Sequence, residues 1–225
     1  MEPRLIVIDG VDASGKATQT ALLRGRLEGL GREVVPLSFP DYASPASQPV
    51  RMYLAGEFGY AAFDVNPYAA SVMYAVDRYA SYKKTWGADY AAGRLLLCDR
   101  YTTSNAIHQG SKLKGSEREE FFRWLYELEF DRMGLPRPDG VIFLDVPPDV
   151  SLRLMQGRPN KATGGDGKDI HEADRDYLFA CYDAAKDAAR FYGWTRIDCT
   201  DGAGNMREVS VINDEIFAAA AGFIK

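Results

Sequence analysis

Leu5-Ile6-Val7-Ile8 is an unbroken apolar run, the pattern of a strand covered on both faces. Between Ala21 and Leu30 the period changes, and Leu22, Leu23, Leu27 and Leu30 recur at helical spacing. The alternation continues. Further strands are predicted over Glu33 to Phe39, Leu95 to Cys98, Val141 to Leu144 and, more weakly, Thr195 to Cys199. Helices are predicted over Tyr68 to Ala91, Glu117 to Met133, Pro148 to Gln156, Glu172 to Phe191 and Arg207 to Ala220. Strands that alternate with helices imply a parallel sheet, because a right-handed crossover needs a helix to bring the chain back. The predicted fold is therefore α/β in three layers, a five-stranded parallel sheet flanked by helices, with ligands at the carboxyl ends of the strands. No internal repeat is present. The stretch from Arg158 to Lys168, RPNKATGGDGK, is rich in glycine and cations and too polar to pack. Because a strand is predicted beyond it, it reads as a loop or lid at about 153–170 inside a single domain 1–225, not as a linker.

Composition narrows the picture only a little. The chain has 225 residues, 46% of them hydrophobic, enough to bury a full core. A formal net charge of -5 argues against a broad nucleic-acid groove, which needs a basic stripe to neutralise many phosphates. A small anionic ligand needs only a few local cations. Cys98, Cys181 and Cys199 are odd in number, widely spaced and without CxxC pairing, so buried thiols are expected in place of a disulfide frame or a zinc site. The apolar run after Met1 is short and follows charged residues, so neither a membrane span nor a secretory leader is predicted and the cytoplasm is the expected location.

Chemistry enters at Gly10-Val-Asp-Ala-Ser-Gly-Lys-Ala17, which fits the phosphate-loop spacing GxxxxGK directly after an apolar strand and directly before an amphipathic helix. There, backbone N–H groups and the positive end of the helix dipole converge on an anion. Gly10 and Gly15 let the backbone turn and approach oxygen atoms, Lys16 can set an ammonium beside the outer phosphates, and Ser14, Ala17 and Thr18 complete the loop and first helical turn. A helix entry with a surface lysine is the plainer alternative. Ala17 stands where such loops carry a Ser or Thr hydroxyl for magnesium, so Asp99, ending the third predicted strand, is the candidate to hold Mg2+ through water. Thr18 lies about 100° further round the helix and would face the inner phosphates if it faces the ligand at all.

With GVDASGKATQ on the page, partner motifs come in order: Phe39-Pro40-Asp41, Tyr74-Ala-Val-Asp-Arg78, Asp99-Arg100-Tyr101 with Ser104 and Gln109, and a basic lid near Arg158. In that order and over nearly the whole chain, the sequence resembles the thymidylate kinases, P-loop enzymes that move a phosphoryl group from ATP to dTMP. The resemblance implies a P-loop NTPase fold, Mg2+, a homodimer formed through helices beside the acceptor site, and roles residue by residue. Asp12 would position the acceptor or metal. Arg100 would grip the acceptor phosphate with paired charge-assisted hydrogen bonds, and Arg78 would lie on the base and phosphate side; either could instead form a structural ion pair. Phe39 and Tyr74 would sandwich the pyrimidine, Gln109 would select its edge, and Ser104 would support that pocket. Arg158 would reach the phosphates on lid closure, with Lys161, Lys168 or Arg153 assisting.

Two positions depart from the family's pattern. Tyr42 stands where many members carry a phosphate-binding arginine, for which Arg51 is a possible substitute, and His108 stands where an aromatic residue excludes the ribose 2′-hydroxyl. The second histidine, His171, reads as a helix-start residue. The sequence thus supports a dTMP kinase, with kinases of dUMP, UMP or dCMP as the alternative within the fold. A non-catalytic nucleotide-binding module is the alternative of another class, weakened by the absence of an NKxD motif.

Overall fold

The apolar run near the start of the chain forms the central strand of the sheet. The computed structural model describes residues 4–155 and 175–224. Its strands are β1 (Arg4–Gly10), β2 (Val34–Ser38), β3 (Leu95–Asp99), β4 (Gly140–Asp145) and β5 (Thr195–Asp198), all parallel, in the spatial order β2-β3-β1-β4-β5. The helices are α1 (Lys16–Gly29), α2 (Gln48–Leu54), α3 (Pro67–Ser81), α4 (Gly87–Ala91), α5 (Thr102–His108), α6 (Gly115–Tyr126), α7 (Pro148–Met155), α8 (Arg175–Tyr192) and α9 (Val209–Phe223).

Side chains alternate across the strands and so divide the core in two. Leu5, Val7, Leu96, Cys98, Val141 and Phe143 face an aromatic-rich layer built from α5, α6 and α8. Ile6, Ile8, Leu95, Leu97, Ile142 and Leu144 face α1 and α9. This alternation sets where the polar strand ends point. Asp9, following Leu5 and Val7, emerges on the α5 side; Asp99, following Leu95 and Leu97, emerges on the α1 side, and Ile8 pairs with Asp99 in the ladder. Two carboxylates therefore flank the cleft at the carboxyl end of the sheet, one toward each helix layer.

The predicted strands match those observed to within a few residues. The helices differ more instructively. The predicted helix from Tyr68 to Ala91 is α3 and α4 joined by a π-helical turn at Tyr82–Trp86, and the one from Glu117 to Met133 is α6 followed by a π-helical turn at Glu127–Arg132. An extra residue in a turn rotates every later side chain about the helix axis, which the 3.6-residue pattern does not reveal. Helices α2 and α5 were not among the predicted elements. In α5 the buried positions include Thr102, Thr103, Asn105 and His108, so no apolar stripe marks it; its inward face serves a polar site.

Candidate active site

Geometry explains both loop glycines. A Cβ on Gly10 would lie 2.7 Å from the Leu144 carbonyl oxygen and 2.9 Å from Ser14 Oγ, so only glycine fits. Gly15, at φ 88°, is the N-cap of α1 and offers no side-chain acceptor to the first-turn N–H groups. Ala17 and Thr18 of that turn are exposed, while Ser14 is buried with its hydroxyl unpartnered among the described residues. The predicted loop thus has a helix N-terminus open to an anion. Lys16 folds back over it: Nζ donates to the carbonyls of Gly10 at 3.0 Å and Val11 at 2.8 Å. Burial, reinforced by the Arg100 charge and opposed by Asp12, lowers its pKa to about 8.

Arg100 follows β3 in a left-handed conformation at φ 70°, with its N–H bonded to the Ile8 carbonyl at 3.2 Å. For a residue with a Cβ this backbone costs on the order of 1 kcal/mol. The consequence is an arginine turned into the cleft. Its Nη2 pairs with Asp12, and its Nη1 reaches Ser104 Oγ at 3.4 Å and His108 Nε2 at 3.2 Å. Ser104 Oγ donates to Asp9 at 2.8 Å, Thr103 Oγ1 donates to Asp9 Oδ2 at 2.5 Å, and the Gly10 N–H donates to Asp9 Oδ1 at 2.8 Å. Burial would raise the Asp12 carboxyl, but the Arg100 and Lys16 cations overrule it and hold it far below the usual carboxylate range. Burial also works against the Arg100 charge, and the Asp12, Asp9 and Asp99 carboxylates outweigh it. His108 is pushed down to about 4 by burial, with Arg100 acting in the same direction. The site sets two anion-seeking cations at one loop: Lys16, buried against the loop carbonyls, and Arg100, half-buried and paired with Asp12.

The acceptor-side residues separate into groups. Phe39 is buried among Tyr101 and Trp86, with ring centroids 5.7 and 6.4 Å away, whereas Tyr74 packs edge-on against Tyr53 at 6.3 Å. Gln109 is fully buried; Nε2 lies 3.5 Å from the Tyr53 hydroxyl and Oε1 has no partner among the described residues. On α5, positions 104 and 108 share one face, and that face turns to Arg100 and Asp9, so Ser104 lies beside the guanidinium.

Arg78 also differs from the ligand-binding expectation and realises the ion-pair alternative. It is 1% exposed, its Nε donates to Glu129 Oε2 at 2.7 Å, and its Nη2 binds the other carboxylate oxygen. Thr102 Oγ1 donates to the same Glu129 at 2.7 Å. The π-helical turn that brings Glu129 inward is the reason. Arg51 is occupied on the turn it follows: Nη1 donates to the Tyr42 carbonyl at 2.5 Å and to Ser47 Oγ at 2.9 Å, and Nη2 donates to Gln48 at 2.7 Å. It braces the Tyr42 loop. Arg153 donates to the Gly204 carbonyl at 2.8 Å, tying α7 to the turn after β5. Arg158, Lys161, Lys168 and His171 lie outside the described residues.

The sequence alone gives no role to Asp9, Asn105 or Tyr53, and marks Cys181 only as a buried thiol. Asp9 carried a signal, an acid at the strand end directly before the loop glycine. Asn105 donates to the Ser71 carbonyl at 3.2 Å, linking α5 to α3, and had none.

Asp99 Oδ1 is buried and has no hydrogen-bond partner among the described residues, on the α1 side where the phosphates of a loop-bound nucleotide would lie. No group of three or more His, Cys, Asp or Glu that could hold a metal occurs among those residues. A single acid suits magnesium, which retains most of its water and binds phosphate oxygens.

A glycine-rich loop between a central parallel strand and its helix, facing a second cationic centre, defines the class of P-loop phosphotransferases. The thymidylate kinase family model matches residues 8–195, and the chain belongs to that family. The thymidylate kinase of Mycobacterium tuberculosis (strain H37Rv) is 33% identical over 171 residues, 76% of this chain and 78% of the relative. That of Coprothermobacter proteolyticus is 27% identical over 195 residues, covering 87% and 90%. The probable thymidylate kinase of Pyrococcus horikoshii is 30% identical over 158 residues, covering 70% and 72%.

Proposed function

We propose that this protein transfers the γ-phosphoryl group of ATP to dTMP, giving dTDP and ADP. The observation that carries this reading is that Arg100, paired with the loop residue Asp12, stands at the same loop whose Lys16 lies over the Gly10 and Val11 carbonyls, so that two phosphate-binding cations meet there. The donor phosphates would lie on the N–H groups from Gly10 to Thr18, with Lys16 exchanging its two carbonyl partners for phosphate oxygens. The acceptor phosphate would meet Arg100. One of its ionised oxygens attacks Pγ, a bond forms there, and the bond from Pγ to the bridging oxygen breaks with its electron pair passing to ADP. No general base is needed. Positioning and charge stabilisation do the catalytic work. Mg2+, when bound, would neutralise charge between the phosphates, and Asp99 is the residue to hold it, through water because Ala17 offers no hydroxyl. Arg158 is the lid cation in this reading.

The test is ADP release with ATP and magnesium against dTMP, dUMP, UMP and dCMP. Preference for dTMP is expected; a different preferred acceptor, or no acceptor-dependent ADP, overturns the reading. Arg100→Ala should cut kcat/KM for dTMP by about a hundredfold or more while ATP binding stays nearly unchanged. Equal loss of both would remove Arg100 from the acceptor side.

The protein is further proposed to act as a homodimer. Val72, Val76 and Tyr79 form an exposed apolar stripe on the outer face of α3 at helical spacing. Sedimentation equilibrium should show a dimer that Val76→Asp dissociates; a wild-type monomer at micromolar concentration rules this out. A cytoplasmic setting belongs to the same reading. Cys98, Cys181 and Cys199 are free buried thiols, which suits a reducing compartment, and no helix among the described residues is long and apolar enough to cross a membrane.

A further inference from the structure

Arginine has only donors to offer, so each partner of the Arg100 guanidinium must accept. Asp12 can. Ser104 can as well, because its one hydroxyl proton is committed to Asp9. The third partner is His108 Nε2, 3.2 Å from Arg100 Nη1, and it accepts only with a bare lone pair. The proton of the neutral imidazole then belongs on Nδ1, which lies 3.6 Å from Cys181 Sγ on α8. Tyr177, also on α8, donates to the His108 backbone carbonyl at 2.9 Å, and its ring lies tilted toward the imidazole with centroids 6.3 Å apart. The chain therefore runs from α8 through one imidazole to the cation at the mouth of the site. We propose that His108, held by Cys181 as the tautomer protonated on Nδ1, is a positioning residue that aims the Arg100 guanidinium at the acceptor phosphate.

This role rests on the acceptor assignment of Arg100 but is chemically separate from it. An imidazolium would present two donors and push the guanidinium away, so the site needs the neutral ring that burial maintains. A phenyl ring would fill the same volume and leave Nη1 one acceptor short. Arg100 would then be free to swing on Asp12 and Ser104, and the loss would fall on acceptor binding more than on ATP.

The experiment has two arms. In the first, long-range 1H–15N correlation NMR of the ligand-free protein reads the imidazole directly, with His108→Gln separating its signals from those of His171. The expected result is a neutral His108 protonated on Nδ1 from pH 5.5 to 8. Protonation on Nε2, or titration near the ordinary histidine value, overturns the proposal whatever the substrate proves to be. In the second, His108→Phe should raise KM for dTMP by about tenfold, the worth of one hydrogen bond to a charged group, with KM for ATP within about twofold. His108→Gln, whose amide oxygen can accept from Arg100, should recover most of that loss. Equal KM values for the Phe and Gln variants, with both folded by thermal melting, would reduce His108 to a space filler. If no acceptor nucleotide is turned over at all, the proposed function fails, while the NMR arm still decides the tautomer.

Discussion

Lys16 is a cation held against its own preference. It is buried, its ammonium leans on two loop carbonyls, and its pKa falls to about 8. An incoming triphosphate supplies the negative charge that the loop lacks, so binding returns the pKa toward 10.5 and takes up a proton. Isothermal titration of a non-hydrolysable ATP analogue in buffers of different ionisation enthalpy should report uptake of roughly half a proton at pH 8 and almost none at pH 6.5. A buffer-independent enthalpy at pH 8 would contradict this account of Lys16. The lysine's identity was legible from its spacing after Gly10 and Gly15. Its strained protonation was not, because desolvation depends on what the fold packs over the ammonium. Asp12 shows the same division: the sequence marks it as a loop acid, and only the arrival of Arg100 from β3 makes it permanently ionised.

Between elements, the decisive contact is Arg78 with Glu129. It joins α3 to the π-helical turn after α6, and Thr102 adds α5 to the same carboxylate. Removing one member leaves a buried charge without its partner, which costs about 3–5 kcal/mol. Arg78→Met should therefore lower the urea-unfolding free energy of the ligand-free protein by that amount, and Arg78→Met with Glu129→Leu should restore much of it. A purely ligand-binding Arg78 would leave free-protein stability within about 0.5 kcal/mol, and that outcome would reinstate its role at the acceptor. Sequence pattern located both partners' helices without pairing them. Helical periodicity shows which face turns inward, but the π turn breaks the period just where Glu129 lies. Helix α5 hides for the related reason that its inward face is polar, so Ser104 and His108 were read from motif order and their contacts with Arg100 were not foreseen.

At the scale of the whole molecule, burying a neutral histidine makes folding sensitive to acid. His108 drops from 6.5 to about 4 on folding, so between those values the unfolded chain binds more protons than the folded one. Stability therefore rises with pH across this window and is lost as pH falls through it. Wild type should lose roughly 2 kcal/mol more than His108→Gln between pH 7 and pH 5 in urea titrations. Parallel losses would show that the ring is not buried in its neutral form. What the chain alone determined was the order of the five strands and the longer helices, the glycine-rich loop and its Lys16, because hydrophobic period and glycine spacing are local properties. Tertiary structure decided which charges meet: that Arg100 pairs with Asp12 of the loop, that Arg78 is spent on Glu129, and that His108 faces an arginine. Asp12 with Arg100 and Arg78 with Glu129 join residues 88 and 51 positions apart, His108 meets Arg100 across the turn from β3 into α5, and what each pairing is worth depends on desolvation, which exists only once the layers have closed.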